Sequence, residues 1–109
     1  MNATQQVLEQ YRALATVHRA MLARARDDDW EGVGELARRA DEIRAELVRM
    51  ENSGAHLRED AEPARATLIE ETLGLIAEIR SLAEPAHATR ADQLANDAVR
   101  QKVKGTYGV

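Results

Sequence analysis

Asp27-Asp28-Asp29-Trp30 lies between two long runs of heptad-like apolar spacing. Three successive acids do not extend an amphipathic helix well. Aspartate competes for backbone groups inside a helix, whereas at an N-cap its carboxylate accepts free N–H groups and meets the positive end of the helix dipole. The indole that follows is the only tryptophan in a chain with no phenylalanine and no cysteine. It offers the largest apolar surface available for holding two helices together. The stretch therefore predicts a helix-turn-helix corner with Trp30 as its structural anchor.

Upstream of that corner Val7, Tyr11, Leu14, His18, Met21 and Ala25 recur by four and three, with Leu8, Ala15 and Leu22 beside them. This is one apolar face of a helix over about residues 3–26, roughly 36 Å long at ~1.5 Å per residue. Downstream, Val33, Leu36, Ala37, Ala40, Ile43, Leu47 and Met50 repeat the pattern over 30–53. That second helix should stop at Asn52-Ser53-Gly54, with Gly54 free to take the left-handed C′ conformation. A turn this short makes the two helices pack antiparallel. Gly32 and Gly34 each cost about 1 kcal/mol relative to alanine inside a helix, so the first turn is loose there or something approaches closely.

A polar linker over 54–59 leads to a third helix over 60–84, with Asp60 as its N-cap and Pro63 in its first turn. Its core stripe is Ala64, Leu68, Thr72, Leu75, Ile79 and Leu82. A second stripe, Ile69, Leu73, Ile76 and Arg80, runs one residue further on. Two readings of it are open: it fills a broad three-helix core, or it lines a groove for a partner helix anchored at i, i+4 and i+7. Pro85 should end or kink this helix. Residues 88–104, with Leu94, Ala98 and Val99, then form a short fourth helix, basic through Arg100, Lys102 and Lys104, and Gly105-Thr106-Tyr107-Gly108 cannot sustain it. The expected fold is all-α: an antiparallel hairpin plus a long third helix, making a three- or four-helix bundle with a short, mobile C-terminal helix, in a single domain over 1–109.

Composition narrows the function. The 109 residues can bury roughly two-thirds of their unfolded surface. With 3% aromatic residues and much alanine, the core is thin. A net charge of −4 lacks the basic footprint of a nucleic-acid binder. Absence of cysteine removes disulfides and thiolate metal sites. No apolar run approaches the ~20 residues of a membrane span, and a cytoplasmic location is expected. Glu84 and His87 make one E-x-x-H, where a di-iron bundle needs two, and Pro85 sits inside it. His18 on the apolar face reads as a hydrogen-bonded core histidine, and His56 lies in the linker. No phosphate loop or nucleophile elbow occurs. No enzyme activity, cofactor, metal, nucleic acid or membrane is expected.

A helix with an aromatic at Tyr11, an alanine-rich end, a short polar turn, then Trp30 followed by Val33, Leu36, Ile43 and Leu47, resembles the N-terminal hairpin of the FliT family of flagellar export chaperones. Thr72-Leu73 and their apolar neighbours resemble its third helix, and Arg100-Gln101-Lys102 with Tyr107-Gly108 its closing segment. The chain departs from the family at Ala37-Arg38-Arg39-Ala40, where relatives carry a glutamate and then a tyrosine, at Pro85, and in ending soon after Tyr107. The resemblance implies a type III export chaperone that holds the C-terminal helical segment of the filament-cap protein FliD. It also implies contact with the export ATPase complex and, in some bacteria, binding of the regulator FlhDC with lowered flagellar gene expression. Carried onto this sequence, Ile69, Leu73, Ile76 and Arg80 bind the partner, and a tail marked by Leu94, Val99 and Tyr107 regulates access. An exposed apolar groove would also favour a homodimer. A generic helical adaptor or a secretion chaperone of another system is the alternative.

Overall fold

A computed structural model describes the backbone of residues 2–54 and 57–106 and the side chains of 2–54 and 57–87. The described residues are helical throughout apart from short connections: α1 is Ala3–Arg26, α2 is Trp30–Asn52, a 3-10 turn is Glu59–Ala61, and α3 is Glu62–Thr106. Two compact units divide the chain, Met1–Ile79 and Arg80–Val109.

In the first unit α1 starts on a capping box. Asn2 Oδ1 accepts the Gln5 N–H at 2.8 Å, and Gln5 Oε1 accepts the Asn2 N–H at 3.3 Å. Its predicted face is the buried one: Val7, Leu8, Leu14, Ala15, His18, Met21, Leu22 and Ala25. His18 is 2% exposed. Its Nδ1 lies 2.8 Å from the Leu14 carbonyl, which can only accept, so the ring donates there and Nε2 accepts from Arg44 Nη2 at 3.3 Å.

The corner uses each of its three acids differently. Asp27 is the C-cap of α1. Asp28 takes the left-handed conformation at φ 57°, which aspartate tolerates better than most residues. The Asp28 N–H donates to the Ala25 carbonyl at 3.1 Å and the Asp29 N–H to the Arg24 carbonyl at 2.9 Å, the paired bonds of a Schellman ending. Asp29 then caps α2, its Oδ1 accepting the Gly32 N–H at 3.0 Å while Oδ2 pairs with Arg24 at 3.3 Å. Gly32 is glycine because a Cβ there would overlap that carboxylate. Gly34 has no such reason, since nothing lies within 4 Å of its would-be Cβ. The far end of α2 closes as its sequence predicts, with Gly54 at φ 89°.

Val7 and Leu14 pack with Leu47, Ile43 and Ala40, while Met21 and Leu22 meet Val33, Leu36 and Ala37. Low numbers on α1 meet high numbers on α2, so the pair is antiparallel, and alanines in the seam let the two backbones run close together. The start of α3 lies along α1 and runs in the same direction. Arg58 N–H donates to Thr4 Oγ1, the Arg65 guanidinium lies 5.8 Å from the Tyr11 ring centre, and Arg19 and Arg26 pair with Glu71 and Glu78. Partner numbers rise together, so α1 and this part of α3 are parallel. Within the first unit α3 stands farther from the hairpin backbones than these do from each other. Ile79 and Leu75 reach across to Met21 and Leu22, and long charged side chains rather than alanines span the rest of the gap.

Three expectations are corrected. Helix three does not stop at 84, and no separate helix spans 88–104: α3 is continuous through Pro85 to Thr106, including Gly105. Proline removes one donor and disfavours its preceding turn, but Ala83, Glu84, Ala86 and Ala88 are strong helix formers that carry the ladder across it. Asp60 is not the cap of α3. It lies inside the 3-10 turn, 3.6 Å from Arg58 Nε. Ala64 and Leu82 are exposed rather than core.

Candidate functional site

The face to test is that of α3 in the first unit, because the sequence leaves its second apolar stripe open to two readings. Helix geometry of about 100° per residue sorts its residues into three edges. Thr72 and Ile79 are buried, with Leu68 and Leu75 half-buried beside them. On one side Glu71 and Glu78 are tied to Arg19 and Arg26 of α1, the second pair at 3.2 Å. On the opposite side lie Ile69 and Ile76, half-buried, and Leu73, 59% exposed. The stripe is thus divided: the isoleucines contribute partly to packing, and Leu73 does not fill the core.

Among the described residues Val48 and Leu82 are the other large apolar side chains standing out, at 55% and 37% exposure. Val48 stands alone on α2 among charged neighbours, which is ordinary for a soluble surface. Arg80 is exposed and opens the second unit. Leu94 and Val99 lie on the α3 backbone, with side chains outside the described residues. Tyr107 and His56 lie wholly outside them.

Trp30 begins α2 and is half-buried, and its Nε1–H donates to Asp28 Oδ1 at 2.5 Å. It stands at the corner and belongs to neither buried cluster. Beside it Ala20, Arg24, Asp29, Glu31, Gly32, Glu35 and Leu36 line an open cleft of about 420 Å³. Arg24 and Asp29 are already engaged with each other and with the α2 cap, so the cleft is a by-product of the turn.

Elsewhere the surface is laced with short-range pairs: Arg39 with Glu42, Arg44 with Asp41, Arg49 with Glu46 and Arg65 with Glu62, all three residues apart. Hydrogen bonds from Arg49, reinforced by its charge, hold the Glu46 carboxyl below the usual carboxylate range. Among the described residues no cluster of three or more His, Asp or Glu could hold a metal ion. No helix among them is long and apolar enough to cross a membrane.

The seam residues Arg19, Arg26, Glu71 and Glu78 are missed by pattern reading. A signal existed, because arginines at 12, 19 and 26 and glutamates at 71 and 78 each recur by seven. Nothing local says that the two series face each other.

A helical hairpin, a third helix with a partly uncovered apolar edge and a surface laced with ion pairs define a small helical protein of the bundle class. Residues 8–109 match the family described as "Flagellar protein FliT", and the chain belongs to that family. FliT proteins are flagellar export chaperones, a family of chaperones rather than enzymes. No curated protein and no solved structure matches the chain.

Proposed function

We propose that this chain is the export chaperone of the filament-cap protein FliD and binds its C-terminal helical segment on the α3 edge formed by Ile69, Leu73 and Ile76. The observation that supports the reading is Leu73. A leucine 59% exposed in mid-helix and flanked by two half-buried isoleucines leaves apolar area in water that an amphipathic helix would cover. Binding is burial rather than chemistry. Covering the remaining exposed part of this leucine contributes about 1–2 kcal/mol.

Arg80 is proposed separately to favour an acidic residue on the client. The family resemblance supports three further proposals: contact with the export ATPase complex, binding of FlhDC, and regulation of client access by the tail that includes Leu94, Val99 and Tyr107. A cytoplasmic location and a reversible homodimer belong to the same reading.

Calorimetric titration with the C-terminal fragment of the cognate cap protein tests it. Micromolar or tighter binding to the full chain, reduced at least tenfold by Leu73→Arg, is expected. Unchanged affinity in that variant removes the site. No binding to the unaltered chain removes the client.

A further inference from the structure

The α1–α2 groove beneath α3 is built like a binding site filled by an imperfect occupant. Its basic rim is regular: Arg12, Arg19 and Arg26 stand one heptad apart on α1. Glu71 and Glu78 answer the last two. The residue one heptad before Glu71 is Ala64, which has no carboxylate to set against Arg12. At the middle of the buried stripe stands Thr72 rather than a leucine, its hydroxyl turned back to the Leu68 carbonyl at 2.8 Å. Two positions on, Gly74 has nothing within 4 Å of a would-be Cβ and no positive φ. Neither crowding nor backbone conformation requires the poorest helix former after proline at that point.

Among the described residues, the two helices of the groove carry more of the buried ones than α3 does. Eight residues of α1 and three of α2 are buried, whereas Thr72 and Ile79 are the buried residues of α3 in the first unit. Ile79, with Leu75 beside it, packs on Met21 and Leu22, while the two ion pairs that flank this strip are substantially exposed, and screening weakens such pairs.

We propose that the segment 62–79 is an exchangeable occupant of this groove, and that the groove takes in its place an acidic amphipathic helix of a partner protein. The ligand is defined by the rim. It carries carboxylates at three positions one heptad apart, facing Arg12, Arg19 and Arg26, with apolar residues four positions after the first, one and four positions after the second, and one position after the third. That is the pattern of Glu71-Thr72-Leu75 and Glu78-Ile79, completed. An internal occupant acts at an effective concentration of about millimolar, so a partner displaces it only by being the better ligand. The defects at Ala64, Thr72 and Gly74 make that possible. This surface lies under α3 and is distinct from the Leu73 edge, so the inference stands whatever binds there.

The probe is a labelled synthetic peptide of residues 62–79 carrying Ala64→Glu, Thr72→Leu and Gly74→Ala, titrated into the full chain by fluorescence anisotropy. The chain has no cysteine, so Arg19→Cys with Glu71→Cys allows α3 to be fastened by a short bis-maleimide bridge. The expected result is saturable binding to the unbridged protein, weakened at least tenfold by the bridge and unaffected by Leu73→Arg. Gly74→Ala in the full chain, by improving the internal helix, should weaken the peptide about fivefold, the ~1 kcal/mol propensity difference converted through RT. Absence of saturable binding, equal binding with and without the bridge, or loss of binding in Leu73→Arg would each overturn the proposal. The last result would place the peptide on the outer edge instead.

Discussion

The hairpin and the first part of α3 are neighbours in one unit, yet they are held by different forces. Along α1 and α2 small residues bring the backbones together, and Val7, Ile43 and Leu47 close a buried apolar seam whose ends are capped by side chains at Asn2 and Asp29. Along α1 and α3 the contact is a ladder of polar and cationic groups, Thr4, Tyr11 with Arg65, Arg19 and Arg26, around a narrow apolar strip. Burial of apolar area is strong and insensitive to salt. Exposed ion pairs contribute a few tenths to about 1 kcal/mol each. One unit therefore contains a seam held by buried area and a second seam that leans more on exposed charge.

The sharpest way to break the contrast is to hollow out the buried seam. Ile43 is 2% exposed, and Ile43→Ala should cost about 2–5 kcal/mol in denaturant unfolding, removing the helical signal of the first unit cooperatively. A loss below 1 kcal/mol would mean that the hairpin is not the stable element. The glycines provide a comparison of sign. Gly32→Ala drives a methyl into the Asp29 cap and should destabilise by about 1–2 kcal/mol, whereas Gly74→Ala meets open space and should stabilise by about 1 kcal/mol. Equal effects at the two positions would contradict the geometry of the corner.

Ala64→Glu should extend the ladder to Arg12 and raise stability by about 0.2–0.5 kcal/mol at low salt, with the gain disappearing in high salt. Replacement of Glu46 acts least of all. Its folded carboxyl titrates below its ordinary range, so whatever it contributes is present above that range and is lost as pH falls through the folded value. A stability difference between the chain and Glu46→Gln should therefore be visible at neutral pH and vanish in acid. A difference that grows on acidification would have the wrong sign.

What the sequence disclosed follows the same division. The hairpin was legible because its signals are local: every residue placed on the α1 face except Tyr11 is buried, and Tyr11 is half-buried. The acidic turn and Gly54 also took their expected places. Pro85 misled because proline's penalty is local while helix continuation depends on the residues around it. The Arg19–Glu71 and Arg26–Glu78 pairs were unreadable for a different reason, since each joins positions 52 residues apart and no periodicity sets the register between separate helices. Of the proposed partner edge, periodicity found Ile69, Leu73 and Ile76 together, but the share each gives to the core depends on where α1 and α2 lie. The regulatory tail, with Leu94, Val99 and Tyr107, lies outside the described side chains.

The placement of the ring chromophores turns this division into optics. The single tryptophan sits at the α1–α2 corner with its indole N–H on Asp28, so its emission reports the hairpin. Tyr11 lies under the Arg65 guanidinium, so once the second tyrosine is replaced by Tyr107→Phe, the near-ultraviolet circular dichroism of the tyrosine band reports the seat of α3. The two halves of the first unit thus carry separate spectroscopic labels, and a titration that alters the tyrosine band while leaving the tryptophan spectrum unmoved would register departure of the helix without any added dye.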